Sequence, residues 1–343
     1  MALATSYSLG DRPSVRGARE SLDNTLRRTA VESTPLFAML PRGPKAQAML
    51  TEWLVDDLSE VAFPGVIDGK ALDFSTDFVD KTTDRARLGN RIQQIERTHS
   101  VSPQAQAVNV AGPSNLYASS KARSLIELKR DLEAMIGSDN DFQVGSNGQG
   151  DLCSGLGAWT DPNNTTTYGS ALQQNYRSVA GSRFDLSTAG SMTENDFRDV
   201  LQAIFEQHGS ASSYKLVGGP SVLNHIADFT RTNVANGAPS FQLTQNVGDG
   251  TLKLQVQEYI SDWGRVYLVP TLLAGRTSGG SLDATGRNRA YIIPSDGHVS
   301  IRFLEDIKSI DLEDVDGGGQ RGLCRVMATV TPTSAGKPLG SIV

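Results

Sequence analysis

The sequence predicts an α+β fold organised around one long amphipathic helix. Three observations carry that prediction. Residues 119–137 (SSKARSLIELKRDLEAMIG) place Leu125, Leu128, Leu132 and Met135/Ile136 at spacings of three and four, one face of a helix. Several other stretches alternate apolar and polar residues with a period of two, as half-buried strands do. The 343 residues include 34 glycines, which implies many turns and long connections. A chain of this length buries a sizeable core and is expected to divide into two units.

In the helix, Ser119 or Ser120 is expected to cap the first amides, and Gly137 to end it in a left-handed conformation. Arg123/Glu127 and Lys129/Glu133 are each four apart on its expected outer surface, as on a solvated or intersubunit face.

Upstream, residues 1–20 have scattered charge and little apolar content and read as an extended or disordered arm. Between 14 and 32, Arg16, Arg19, Arg27 and Arg28 face Glu20, Asp23 and Glu32. That pattern fits either a short solvated helix or an arm lying on an acidic neighbour. Residues 34–41 (TPLFAMLP) form an apolar plug between two prolines, expected to anchor on a core. Residues 47–58 alternate Met49, Thr51, Trp53 and Val55 against Leu50, Glu52 and Leu54, a strand with one mostly apolar face, and 90–101 is a second, polar strand. Between them, 59–89 carries Asp68, Asp77, Lys70 and Lys81 but few regular signals. Two strands joined by so long an excursion read as a protruding hairpin arm, which has no core and must lie on something, most simply another copy.

After the helix, 138–191 is rich in Gly, Ser, Asn and Thr. Thr193 with Asp196 opens a helix to Gly209, followed by a strand at 214–217, a Gly-Gly turn and a helix from Pro220. Residues 251–260 and 265–270 predict a hairpin, and strands are expected near 290–293, 299–304 and 322–331.

The net charge of −6, with no basic block, argues against specific nucleic-acid recognition. No charged-then-apolar leader and no run of membrane-spanning length occur, and Cys153 and Cys324 lack paired spacing, which fits a reducing cytoplasm. His99, His208, His225 and His298 are isolated. No GxSxG is present, and the glycines of 145–157 lack the Lys-Ser/Thr of a phosphate loop. The strand-to-helix turn at 217–221 has a geometry that can hold an anion but no basic partner, and 311–317 puts Leu312 where a calcium loop needs its first ligand. No catalytic residue, metal or cofactor is expected.

The order of parts is informative. TPLFAMLPRG (34–43), TEWLVDDL (51–58), NRIQQI (90–95) with HSVS (99–102), and IELKRDLEAMI (126–136) resemble the tailed-phage (Caudoviricetes) major capsid proteins with the Hong Kong 97-like fold. TENDFRDVLQAIFEQHG (193–209), YKLVGGPSVLNHIADF (214–229) and SDWGRVYLVP (261–270) extend the likeness over most of the chain from about residue 30. The resemblance implies an N-terminal arm at 1–33 and a peripheral domain from 34–139 and 286–343. That domain would hold an extended loop at about 46–105, with Trp53 and Ile92 on its base strands, and a spine helix at 119–136. An axial domain would occupy 140–285.

The function implied is a major capsid protein that self-assembles as hexamers and pentamers into an icosahedral shell around phage double-stranded DNA. Intersubunit contacts are expected at Arg16, Arg19, Arg27 and Arg28 of the arm and at Trp53, Asp68, Lys70 and Asp77 of the loop. Arg123, Glu127, Lys129 and Glu133 of the helix complete the set. The partners implied are a separate scaffolding protein, since no long scaffolding segment precedes the arm, and portal and cement proteins. DNA would be held only non-specifically, and no membrane is implied. The place implied is the virion, after synthesis in the host bacterial cytoplasm. Two alternatives stand: another phage-derived shell protein (a minor capsid component or an encapsulin-like compartment), or an enzyme using Ser or Asp within 138–190, for which no nucleophile–base pair is suggested.

Overall fold

The long helix spans Leu116–Ile136 in the computed structural model, which describes residues 33–56, 58, 68–73, 85–108, 115–163, 176–208, 213–229, 257–273, 287–313 and 317–343. It starts one turn earlier than expected. Asn115, in extended conformation, accepts the N–H of Ala118 at 3.0 Å and so caps the first turn in place of Ser119 or Ser120. The stop is also different: Gly137 has φ −88° and is not left-handed. Its N–H continues to the Glu133 carbonyl at 3.2 Å, and its own carbonyl accepts the Tyr291 hydroxyl at 2.7 Å. A tertiary partner replaces the local cap.

In chain order the described elements begin with α1 (Pro35–Met39), β1 (Leu50–Val55), β2 (Ala86–Arg91), β3 (Gln93–Val101), α2 (Pro103–Ala107), α3 (Leu116–Ile136) and α4 (Leu156–Trp159). They continue with β4 (Arg183–Phe184), α5 (Leu186–Ala189), α6 (Glu194–His208), β5 (Ser213–Gly218) and α7 (Pro220–Asp228). The last are β6 (Glu258–Ser261), β7 (Gly264–Pro270), β8 (Ala290–Pro294), β9 (Val299–Leu312), β10 (Gln320–Pro332) and β11 (Gly340–Ile342).

Among the described residues the strands form three sheets: the ribbon β1–β2, the antiparallel sheet β3–β10–β9, and the six-stranded sheet β4–β11–β8–β5–β7–β6. The single strand expected at 90–101 is therefore two. The chain breaks at the fully buried Ile92, pairs with β1 before it and with β10 after it. Of the strand expected at 47–58, Leu50–Val55 is strand among the described residues and pairs with β2. Of the strand expected at 251–260, residues 251–256 lie outside the described residues, and the hairpin closes through Gly264 with φ 138°.

Two cores result. The first joins Leu36 and Leu40, the inner face of α3 (Leu128, Leu132, Met135, Ile136), Trp159, and the inward residues of β9 and β10. The plug at 34–41 is thus an anchor, as expected. The second joins Phe197, Val200, Leu201 and Ile204 of α6 with Val222 and Ile226 of α7. β8 lies between them: Tyr291 and Ile293 face the first core, Ala290 and Ile292 the second. All five of its residues are buried, which is why AYIIP reads as a continuous apolar run. β8 and β11, from the stretch expected to return to the first unit, are interior strands of the second sheet.

Candidate assembly surfaces

The ribbon is amphipathic across its thickness. Pairing of Trp53 with Leu88 and of Val55 with Ala86 gives it an inner face, which packs on the first core. Trp53, expected at a contact between subunits, instead faces inward, its ring centroid 6.0 Å from that of Trp159. The outer face carries Leu50 and Leu54, 40% and 70% exposed, beside the Glu52–Arg87 ion pair. Beyond the ribbon, Leu58 and Leu72 are 94% and 65% exposed. Leu50 and Leu54 make the outer face of the ribbon an exposed apolar surface among the described residues.

The ribbon's base is fixed by a buried amide. Asn90 Nδ2 donates to the carbonyls of Val330 at 2.7 Å and Ser154 at 3.0 Å, and Asn90 Oδ1 accepts the Ser154 N–H at 2.9 Å. Cys153 fills the space beside it, 3.4 Å from Thr329 Oγ1, and burial pushes its thiol pKa up. Gln93 Oε1 accepts the Cys153 N–H at 3.2 Å. The glycines of this segment permit close approach. A Cβ on Gly155 would fall on the Ser138 carbonyl, and one on Gly157 on the Asp139 carboxylate.

Glu133 corrects the expectation most sharply. It is fully buried, not on the outer face, and its carboxylate accepts the N–H groups of Leu36 at 2.9 Å and Phe37 at 2.6 Å and the Thr271 hydroxyl at 3.3 Å. Those amides are the free donors of α1's first turn, so a residue 97 positions away caps that helix. Burial raises the Glu133 pKa; the two amides and Thr271 oppose the shift. Of the other helix residues, Arg123 pairs with Glu127 at 2.8 Å and Lys129 is exposed, away from the buried Glu133 with which its spacing matches it. Asp68 and Lys70 flank Gly69, φ 78°, on an exposed turn. Arg16, Arg19, Arg27, Arg28 and Asp77 lie outside the described residues, as does Lys81.

Chemistry of an active site is not assembled among the described residues. Among the described residues no group of three or more His, Cys, Asp or Glu is placed to hold a metal, and no helix is long and apolar enough to cross a membrane. Cys153 and Cys324 are both free and buried. The turn at 217–221 spends the Gly219 N–H on the Arg289 carbonyl at 2.7 Å, not on an anion. An open groove of about 720 Å³ beside the bulge in β10 is rimmed by the ion pairs Arg42–Asp306 and Arg325–Glu305.

Sequence reasoning missed Asn90 and put Glu133 on the wrong face because their partners are remote. A weak signal existed for Glu133, which lies three residues before Ile136 and so shares its face.

A long helix laid along an antiparallel sheet, a ribbon leaving that sheet and a second sheet flanked by helices give the fold of a Hong Kong 97-like capsid subunit. Solved structures agree. The cyanophage A-1(L) capsid subunit matches with a TM-score of 0.63 at 12% identity, over 95% of this chain and 96% of that one. The capsid subunit of the native GTA particle matches with a TM-score of 0.58 at 11% identity over 98% of both chains, and that of cyanophage Pam1 with 0.56 at 10% over 99% of both. No curated protein matches the chain. The SU10 major capsid protein family matches residues 4–330, and the chain belongs to that family. It is a phage major capsid protein, a structural component of the virion's icosahedral shell and not an enzyme, and it assembles with itself.

Proposed function

We propose that the ribbon β1–β2 and the loop it supports, about 46–105, lie on a neighbouring copy within hexamers and pentamers, with the arm at 1–33 exchanging contact area in the same way. Residues 34–139 and most of 286–343 act as the peripheral domain. Residues 140–285, joined by β8 and β11, act as the axial domain around the capsomer axes. Asp68 and Lys70 of the loop and Arg123, Glu127 and Lys129 of the helix contribute contacts between copies, together with Asp77 and the arm's Arg16, Arg19, Arg27 and Arg28. The observation that carries this reading is the outward apolar face of the ribbon, with Leu54 70% exposed. Closure of a shell multiplies individually weak contacts of this kind.

The subunit is made in the host bacterial cytoplasm and assembles with a separate scaffolding protein, a portal and cement proteins. It encloses double-stranded DNA without binding it specifically, since a net charge of −6 with no basic cluster gives phosphates little to pair with. Electron microscopy and light scattering on wild type and Leu54→Asp test the ribbon's role. Closed particles from wild type and only small capsomers or monomers from the variant are expected. Full-sized particles from Leu54→Asp would remove the ribbon from the interface.

A further inference from the structure

We infer that Asn90 sets the direction in which the ribbon leaves the body and so fixes a single shell curvature; this rests on the ribbon being an arm that reaches a neighbour. The ribbon leaves the β3–β10–β9 sheet at Ile92, where strand pairing changes from β10 to β1. A chain that switches sheets at one residue is free to pivot there unless something beyond the switch is tied down. Asn90, two residues into the ribbon and fully buried, is that tie. Both its amide hydrogens and its carbonyl are spent on bodies other than the ribbon: Val330 in β10, and both backbone groups of Ser154.

An apolar side chain would fill this space equally well but would slide; a satisfied amide specifies one orientation. Two further contacts point the same way and reach the same Gly-rich segment: Trp53 against Trp159, and Arg91 with Asp151 at 3.5 Å. The segment is itself tied back. The Ser154 hydroxyl donates to Asp141 at 2.5 Å, and Asp141 forms a buried ion pair with Arg177. A continuous chain of polar contacts therefore runs within the first core from Arg177 through Asp141 and Ser154 to the root of the ribbon. Asn90 is a positioning residue at its end.

The test takes the full-length chain and its variants through the same assembly. Hydrogen exchange is measured on the subunits and shell diameter by cryo-electron microscopy. Asn90→Asp keeps the shape but loses both donors. Its amides in 50–55 and 86–91 are expected to exchange about tenfold faster, with β9 and β10 unchanged, and its shells to spread over more than one diameter. Phe197→Leu, in the second core, is expected to lower Tm while keeping one diameter. A single wild-type diameter from Asn90→Asp overturns the inference. So does an equal spread from Phe197→Leu at matched loss of Tm. Should Asn90→Asp fail to fold, Asn90→Ser is read against the same two outcomes. If Leu54→Asp assembles normally, the intersubunit reading of the ribbon falls and takes this inference with it. If Leu54→Asp blocks assembly while Asn90→Asp keeps one diameter, only the role of Asn90 is lost.

Discussion

The two cores are held together differently. The second is almost wholly apolar and aromatic: Phe197 meets Phe229 at 6.1 Å and Tyr259 edge-on at 5.2 Å, and α6, β5, α7, β7, β8 and β11 all contribute apolar side chains to it. The first is threaded with buried polar groups, each joining segments remote in sequence. Glu133 holds α1, Asn90 holds β10 and residue 154, and the Ser178 hydroxyl lies 2.7 and 2.9 Å from the carbonyls of Gly336 and Leu339. Both cores draw on distant parts of the chain, but the second is joined by apolar packing, whereas in the first directional contacts add to packing in saying which piece goes where.

The comparison can be broken by mutation. Phe197→Ala should destabilise the second core by about 3–5 kcal/mol in denaturant melts, the largest single effect, because an aromatic at full burial leaves a cavity. Glu133→Ala should cost about 2–4 kcal/mol by leaving two buried amides without an acceptor, and hydrogen exchange should quicken at Leu36 and Phe37. A Glu133→Ala protein as stable as wild type would show that the first core, too, is specified by packing. Asn115→Ala should cost about 1 kcal/mol, confined to the first turn of α3.

The smallest effect is on pH dependence, and its sign differs between the two regions. Asp185 caps α5 and is held down to about 2 by hydrogen bonds from Ser187 and Thr188. Its contribution is present above the ordinary carboxylate value of 3.8 and is lost as pH falls from there through about 2. Glu133 is raised above 4.5, so its contribution grows as pH falls from its folded value to 4.5. Acid titration followed by NMR should therefore show opposite slopes, abolished separately by Asp185→Asn and Glu133→Gln.

What could be read in advance was local. The capping box at Thr193 and Asp196 forms as written, with the Thr193 N–H donating to Asp196 at 2.8 Å. The hairpin through 261–264 and the apolar stripe of α3 are equally local. The contacts that assemble the first core were not legible. Asn90 and Val330 are 240 residues apart, and neither residue type nor spacing announces the pair. The same holds for Trp53: alternation put it on the apolar face of its strand, but only the fold shows that this face turns toward Trp159. Glu133 reads as a solvated helix position until the plug at 34–41 is seen to deliver two bare amides to it.

β11 occupies an interior position in the second sheet, parallel to β4 on one side and antiparallel to β8 on the other. The Val343 carbonyl accepts the N–H groups of Leu186 and Ser187, and its own N–H reaches Phe184. On the ribosome, β4, α5 and α6 emerge well before the strand that completes them. That sheet closes only once residues 340–343 have cleared the exit tunnel. A nascent chain whose β1 and β2 have already emerged therefore still lacks a finished second sheet.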